Sequence, residues 1–277
     1  MTAGTDPAAA TARDSAVTPL PVRRWRAGAW QDIVDNVAAE VPVALSYNSI
    51  PHVVMMATPL DLEDMGVGFT VSEGLVADYS ELRGVTLDVS SGEYELRLSV
   101  TGSRLGELLD RRRNLTGRTG CGVCGAETVE DAIRRPPPVP EGGSTSREDL
   151  VAALRRLRSL QPLGALAGSL HAAAWVGWDG NVQLVREDVG RHNALDKLIG
   201  AKLRAGEDLA DGYVMVTSRA SYEMVQKTAT LGIRMLVAVS APTALGVELA
   251  RQCGLTLVGF AREEQQVVYS CPDRLRQ

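Results

Sequence analysis

The chain has 277 residues, 45% of them hydrophobic and 23% charged, enough to bury a sizeable core in two compact units or one large one. Its 29 basic and 34 acidic side chains leave a net charge of −5, which argues against a nucleic-acid binder, since that needs a net basic face. No stretch reaches the roughly 18 apolar residues of a membrane span, and Pro242 interrupts the best candidate at 235–247.

Residues 1–20 lack both a charged start and an apolar h-region, so they read as a disordered tail rather than a signal peptide. Residues 21–135 read as a smaller α+β portion. Val43–Tyr47 and His52–Ala57 predict paired strands around a turn at Asn48-Ser49, and a helix follows from Asp61 to Glu73, stopped by Gly74. Val85–Val89 and Tyr94–Val100 alternate apolar and polar residues across Ser91-Gly92, predicting a second hairpin. Leu105, Leu108 and Leu109 mark a short helix. The segment 114–125 then carries four glycines in twelve residues together with Cys121-Gly-Val-Cys124, which predicts a mobile loop leading into a helix at 126–135.

The composition changes abruptly at Pro136-Pro-Pro-Val-Pro-Glu-Gly-Gly-Ser-Thr145, so 136–146 is read as a linker, and Ser146 caps a new helix. The remainder, 147–277, reads as an α/β domain. Leu150, Val151, Leu154 and Leu157 make an amphipathic helix, and Leu170–Val176 pairs with Val182–Arg186 across Asp179-Gly180, a type I′ signal. Three strands (Tyr213–Thr217, Arg234–Ser240, Leu255–Phe260) then alternate with helices at 193–204, 221–231 and 243–252, the rhythm of a mostly parallel sheet.

In such a sheet, ligands bind beyond the carboxyl ends of the strands, where loops enter helix N-termini. Four segments fall there: Asp188-Val-Gly-Arg-His192, Ser218-Arg-Ala-Ser221, Ser240-Ala-Pro-Thr243 and Phe260-Ala-Arg262. Free N–H groups, hydroxyls and arginines are what a phosphate needs. One helix terminus contributes only about 0.3–1 kcal/mol to an exposed anion, so several loops would have to converge. The plain alternative is that Ser218, Ser221, Ser240 and Thr243 are ordinary caps beside solvated arginines. His192 is read either as a proton-transfer or phosphate-contacting group or as part of a cap, and His171 as a core histidine. Apart from Lys197, Lys202 and Lys227 every basic residue is arginine, a skew that suits small anionic ligands but that a biased genome also produces.

Four cysteines in 277 residues argue against a disulfide scaffold and towards a cytoplasmic protein with thiol or metal chemistry. Arg118 and the helix after the loop would both lower a thiol pKa, and only the thiolate is nucleophilic. Three chemistries fit Cys121 and Cys124: disulfide exchange, half of a zinc site, and carriage of sulfur as a persulfide. Zinc fits least, because no second CxxC and no histidine spacing completes four ligands.

The segments Cys121-Gly-Val-Cys-Gly125, Asp188-Val-Gly-Arg-His-Asn-Ala-Leu-Asp-Lys197, Arg219-Ala-Ser-Tyr-Glu-Met-Val-Gln-Lys227, Ser240-Ala-Pro-Thr243 and Val258-Gly-Phe-Ala-Arg262 together resemble the FdhD family, accessory sulfurtransferases of formate dehydrogenase. The similarity runs from about Val41 to Tyr269. It implies a cytidine-deaminase-like C-terminal α/β fold without zinc ligands, and a homodimer. It also implies a role in molybdenum cofactor biosynthesis: a cysteine desulfurase loads a persulfide on Cys121, with Cys124 as helper. The sulfur then passes to a molybdenum or tungsten bis(molybdopterin guanine dinucleotide) cofactor destined for formate dehydrogenase. That cofactor is a substrate rather than a resident group, and its binding segment maps to Phe260, Ala261, Arg262, Glu263, Glu264 and Gln265, with Arg191, His192, Ser218, Arg219, Ser240 and Thr243 lining the same crevice. The chain departs from the family pattern at Ser218, Glu263 and Val267, and Glu263 and Glu264 bring negative charge to an expected pyrophosphate site. Rival readings are a cofactor-binding chaperone without sulfur chemistry and a CxxC thiol-disulfide oxidoreductase.

Overall fold

The computed structural model describes residues 16–102 and 135–277. The chain begins with a long hairpin, β1 (Val17–Arg26) and β2 (Ala29–Ala38), so the first described residues of the expected tail, 17–20, are strand. Ala27 and Gly28 both take positive φ at its tip, the geometry a two-residue hairpin turn requires.

The hairpins expected around Asn48-Ser49 and Ser91-Gly92 form as β3 (Val41–Tyr47) with β4 (Ile50–Ala57), and β5 (Leu82–Ser90) with β6 (Glu93–Val100). They join in a four-stranded sheet of order β4-β3-β6-β5. Helix α1 (Leu62–Ser72) is buried along nearly its whole length. One side packs on the sheet through Met65 and Phe69, among Leu45, Leu96 and Leu98. A helix buried all round needs a second partner, and that partner comes from the C-terminal half.

The proline-rich linker is not a free tether. Val139 is buried in the C-terminal core and donates its N–H to Cys253 O at 2.8 Å, and Arg274 donates to the carbonyls of Pro140 and Gly142 at 3.1 and 3.2 Å. Polyproline chain has no internal hydrogen bonds, so its carbonyls need outside donors, and Arg274 supplies them. Strand β7 (Thr145–Ser146) then pairs with the C-terminal β14 (Leu275–Arg276).

Ser146 caps α2 (Arg147–Ser159), accepting from Asp149 N at 3.0 Å. The short α3 (Pro162–Leu166) leads to β8 (His171–Gly177) and β9 (Val182–Asp188). Only Gly180 of the expected type I′ pair has positive φ, and Gly180 N bonds Gly177 O, so the turn is type I closed by a left-handed glycine. There follow α4 (Arg191–Arg204), β10 (Gly212–Val216), α5 (Tyr222–Thr230), β11 (Met235–Ala238), α6 (Ala244–Gln252), β12 (Thr256–Gly259) and β13 (Val267–Ser270).

The six strands lie in the order β13-β12-β11-β10-β8-β9. The class is α/β, but the parallel part is narrower than the helix–strand rhythm suggested. Only β10, β11 and β12 run parallel, with an antiparallel hairpin on one flank and antiparallel β13 on the other. Helices α4, α5 and α6 cover one face and α2 the other.

The second partner of α1 is α4, and the crossing is close. A Cβ on Gly68 would lie 1.8 Å from Asp196 O, and one on Gly200 would lie 1.8 Å from Asp64 O. The two halves are therefore packed helix on helix rather than strung on a linker.

Candidate functional site

The loops after β9, β10, β11 and β12 open on one edge of the sheet, because those strands all point the same way. Backbone bonds tie three of them together. Thr243 N donates to Ala220 O at 3.0 Å, Ala220 N to Ala241 O at 3.3 Å, and Phe260 N to Ser240 O at 3.0 Å. Phe260 has φ +48°, in the left-handed region that a bulky side chain seldom adopts. Gly259 approaches Pro242 so closely that a Cβ would lie 2.7 Å from the proline ring. The loops thus form one braced rim.

The β9–α4 loop is shaped by Asp188, fully buried, whose carboxylate accepts four bonds. They come from Thr58 N at 3.0 Å, Gly190 N at 2.7 Å, Asn193 Nδ2 at 3.0 Å and Lys197 Nζ at 2.6 Å. With its acceptors taken, Asp188 sets the backbone so that Gly190 ends the loop and Arg191 starts α4. Asn193 also donates to Met56 O and Lys197 to Thr58 O, which brings the end of β4 to the rim.

On the neighbouring face of α4 the polar atoms are less well matched. Arg191 Nε, His192 Nε2 and, across at the start of α5, Ser221 Oγ are buried without a hydrogen-bond partner. His192 Nε2 comes within 2.9 Å of Glu223 Oε2 but is not aligned for a hydrogen bond, and Arg191 lies 3.8 Å from the same oxygen. Leaving buried polar groups unpaired costs about 1–3 kcal/mol each, so three together at one rim point to a ligand that would pair them. The N-terminal N–H groups agree. Gly190 and Ser221 stand at the N-cap positions of α4 and α5 but make no side-chain cap, whereas Thr243 does cap α6, accepting from Gly246 N at 3.2 Å.

The plain capping role therefore belongs to Thr243. Ser218 is buried and donates to Arg219 O at 3.1 Å, which steadies its own loop, while Arg219 is exposed. Ser240 contributes its carbonyl to Phe260 N. His171, expected in the core, instead sits half-buried at the first pair of β8 and β9, opposite Asp188. Burial, together with the charges of Arg191, His192 and Arg219, holds its pKa below the usual histidine value, although Asp188 opposes this. The apolar run of β8 hid this position, because His171 stands at the start of a strand that is otherwise buried.

The segment Phe260–Gln265 forms the tight link between β12 and β13. Arg262 N donates to Gln265 O at 2.7 Å and Gln265 N to Arg262 O at 3.2 Å. Ala261 is buried, while Arg262, Glu264 and Gln265 are exposed. Glu263 does not face an open phosphate position. Arg155 Nε and Arg158 on α2 donate to it at 2.8 and 3.3 Å, and the Arg155 bond holds its carboxyl below the usual range. Val267, the other departure, is a ladder residue opposite Gly259. Cys121 and Cys124 lie outside the described residues. Among the described residues no cluster of three or more His, Cys, Asp or Glu side chains is placed to hold a metal ion, and no helix is long and apolar enough to cross a membrane.

The donors at the rim suit an anionic, phosphate-bearing ligand. The FdhD/NarQ family model matches residues 38–276. The chain belongs to the FdhD/NarQ family. Sulfur carrier protein FdhD of Cupriavidus necator is 50% identical over 269 residues, which is 97% of this chain and 93% of that protein. The protein of the same name from Xanthomonas euvesicatoria pv. vesicatoria is 50% identical over 271 residues, covering 98% and 96%. A solved structure described as that of a formate dehydrogenase accessory protein from Desulfotalea psychrophila superposes with a TM-score of 0.77 at 25% identity, covering 94% of this chain and 99% of that one. The likeness therefore extends over both halves of the molecule.

Proposed function

We propose that the chain is a sulfur carrier that serves formate dehydrogenase, acting through a persulfide on Cys121. The thiolate of Cys121 would attack the outer sulfur of a cysteine desulfurase persulfide, forming a new S–S bond while the desulfurase cysteine leaves as thiolate. Cys124 would then attack the inner sulfur of the Cys121 persulfide. This forms a Cys121–Cys124 disulfide and releases hydrosulfide to the metal centre of the substrate, after which a dithiol reductant restores both thiols. The substrate is a molybdenum or tungsten bis(molybdopterin guanine dinucleotide), and the protein would work as a cytoplasmic homodimer.

The observation that carries this reading is the set of unpartnered donors at the rim, Arg191 Nε, His192 Nε2 and Ser221 Oγ, in a chain half identical to named sulfur carriers. In this reading Arg191, His192 and Ser221, with the uncapped N-termini of α4 and α5, bind the phosphates of the guanine dinucleotide. Phe260–Gln265 lies against its nucleotide end, where Arg262 is exposed for contact. Glu263 is kept out of the way by Arg155 and Arg158.

Intact-protein mass after incubation with a cysteine desulfurase and cysteine is the direct test. A reducible gain of one sulfur atom that disappears in Cys121→Ala is the expected result. A gain that depends on Cys124 instead reverses the two roles. No gain in the wild type, where a known acceptor is loaded, overturns sulfur carriage in favour of a cofactor chaperone. Loading without turnover onto substrate, but with catalytic reduction of a model disulfide, favours an oxidoreductase.

A further inference from the structure

Glu223 stands at the second position of α5, and its carboxylate faces Arg191 and His192 of α4. It is close to both and hydrogen-bonded to neither. His192 Nε2 lies 2.9 Å from Glu223 Oε2 without the alignment of a hydrogen bond, and Arg191 Nη2 lies 3.8 Å from the same oxygen. A carboxylate so placed lowers the positive charge at the rim, because Coulomb attraction needs only proximity. It leaves the donors open, because a hydrogen bond also needs direction. The start of α5 suits it, since a helix N-terminus favours an anionic side chain in its first turn. The other cations near the rim are subdued as well. Lys197 is neutralised by Asp188 at 2.6 Å, both side chains being fully buried. Burial, and then the charges around it, hold His171 towards its neutral form. Arg219 and Arg262 are exposed, where water and salt screen them. What stays unpaired is Arg191 Nε, His192 Nε2, Ser221 Oγ and the N–H groups at two helix starts that have no side-chain cap.

The rim is thus rich in donors and poor in net positive charge. We propose that Glu223 is a specificity-determining residue, which makes the rim favour a pyrophosphate diester over free nucleoside di- and triphosphates. This rests on the reading of the rim as the phosphate site for a guanine dinucleotide. A pyrophosphate diester spreads about two charges over many acceptor oxygens. A free nucleotide ends instead in a phosphate whose second ionisation, at a pKa of about 6, brings the diphosphate to about three charges and the triphosphate to about four. Free guanine nucleotides share guanine, ribose and the first phosphate with the dinucleotide, so common contacts cannot tell them apart. Discrimination then needs an element that acts against the wrong ligand. A carboxylate beside the open donors is such an element, because its repulsion grows with each charge the ligand adds. The neighbouring carboxylates do not play this part. Asp188 accepts four bonds, Glu263 is held by Arg155 and Arg158, and Glu264 is exposed to solvent.

Titration calorimetry of the full chain with GDP-mannose, guanosine diphosphate and guanosine triphosphate, without divalent cations, tests this. GDP-mannose carries the pyrophosphate diester, and the other two end in a free phosphate. Affinity of the wild type should fall in that order, by roughly tenfold for each added charge, the size expected of a unit charge several ångströms from a carboxylate near a protein surface. In Glu223→Gln, which keeps the shape and loses the charge, guanosine triphosphate should gain most. The preference for GDP-mannose over it should then shrink by about tenfold. Glu223→Asp keeps the charge and should keep the order. Equal affinity of the wild type for all three ligands overturns the proposal, as does an unchanged preference in Glu223→Gln. So does a Glu223→Gln protein that binds all three more weakly, which would make Glu223 a partner that orients His192. If none of the three binds the wild type, the reading of the rim as a guanine-nucleotide phosphate site falls, and this inference with it.

Discussion

Two polar regions share the first turns of α4 and differ in how they are satisfied. Asn193, Asp196, Lys197 and Gly200 follow helical spacing and face the seam against the N-terminal half. Asp196 accepts from Ser72 Oγ at 2.7 Å and from Lys227 Nζ at 2.9 Å, and Lys227 also pairs with Glu73 at 2.9 Å. Burial works against the charge on Lys227, but Asp196 and Glu73 outweigh it and hold the ammonium above the usual lysine range. Arg191 and His192, on the same helix, face the rim, where donors lack partners. A buried polar group that is fully bonded holds the fold together. One left unbonded calls for an explanation, such as a ligand, a water or an ion that pairs it.

The same contrast explains the lysines. All three are buried in ion pairs: Lys197 with Asp188, Lys202 with Glu207 and Asp211 and over the Trp175 ring, and Lys227 with Asp196 and Glu73. A point charge with three rotatable donors suits a pocket of carboxylate and carbonyl oxygens, whereas arginine's flat fork suits exposed recognition.

The comparison can be broken most forcefully at the seam. Lys227→Met leaves Asp196 buried and uncompensated and should cost about 3–5 kcal/mol, read by urea denaturation. Because the pKa of Lys227 is raised in the folded state, its stabilising contribution is present below the unfolded value of about 10.4 and should fade as pH rises through the folded value. The wild-type stability curve should therefore fall more steeply in alkali than that of Lys227→Met.

At the rim the pattern should reverse, with binding lost and stability kept. Arg191→Ala and Ser221→Ala should each weaken guanosine diphosphate binding by about tenfold, the loss of roughly one charge-assisted contact. Ser221→Ala should leave the unfolding midpoint unchanged or slightly higher, since the hydroxyl it removes has no partner. Titration calorimetry beside thermal unfolding checks both. A large loss of stability in Ser221→Ala would dissolve the distinction between the two regions.

A finer test uses pH. The lowered pKa of His171 means its folded form resists protonation, so stability should drop as pH falls through the unfolded value of about 6.5 towards the folded one. A bound phosphate nearby would raise that pKa, so binding should take up a proton and strengthen over the same window. Calorimetry in buffers of different ionisation enthalpy should show this uptake in the wild type and its loss in His171→Gln. The smallest effect is expected at Glu263. Its pairs with Arg155 and Arg158 are exposed, so Glu263→Gln should change nucleotide affinity only a few-fold, and less at high salt.

Much of this was legible along the chain. Asn48-Ser49 and Ser91-Gly92 marked their turns because few other pairs accept left-handed backbone, and the strand–helix rhythm after residue 205 placed the loops of the rim. Local pattern also located Arg191, His192 and Ser221 at helix starts, and five motifs carried the family. It did not reveal that the proline-rich segment is docked, since that depends on Arg274, more than 130 residues away. Nor did it separate Thr243, a true cap, from Ser221, an unbonded one, because both occupy the same position before a helix. His171 looked like any strand residue until β9 and α4 brought charges to it, and nothing along the chain marked the three lysines as buried in ion pairs. Sequence by itself determined the hairpins around Asn48-Ser49 and Ser91-Gly92, the strand–helix alternation of the C-terminal half and the family, because these follow from backbone preference, periodicity and local motif, but it missed strands β1 and β2 and misassigned the turn type between β8 and β9. The tertiary structure alone decided which polar atoms are satisfied, since that depends on partners brought together across the fold.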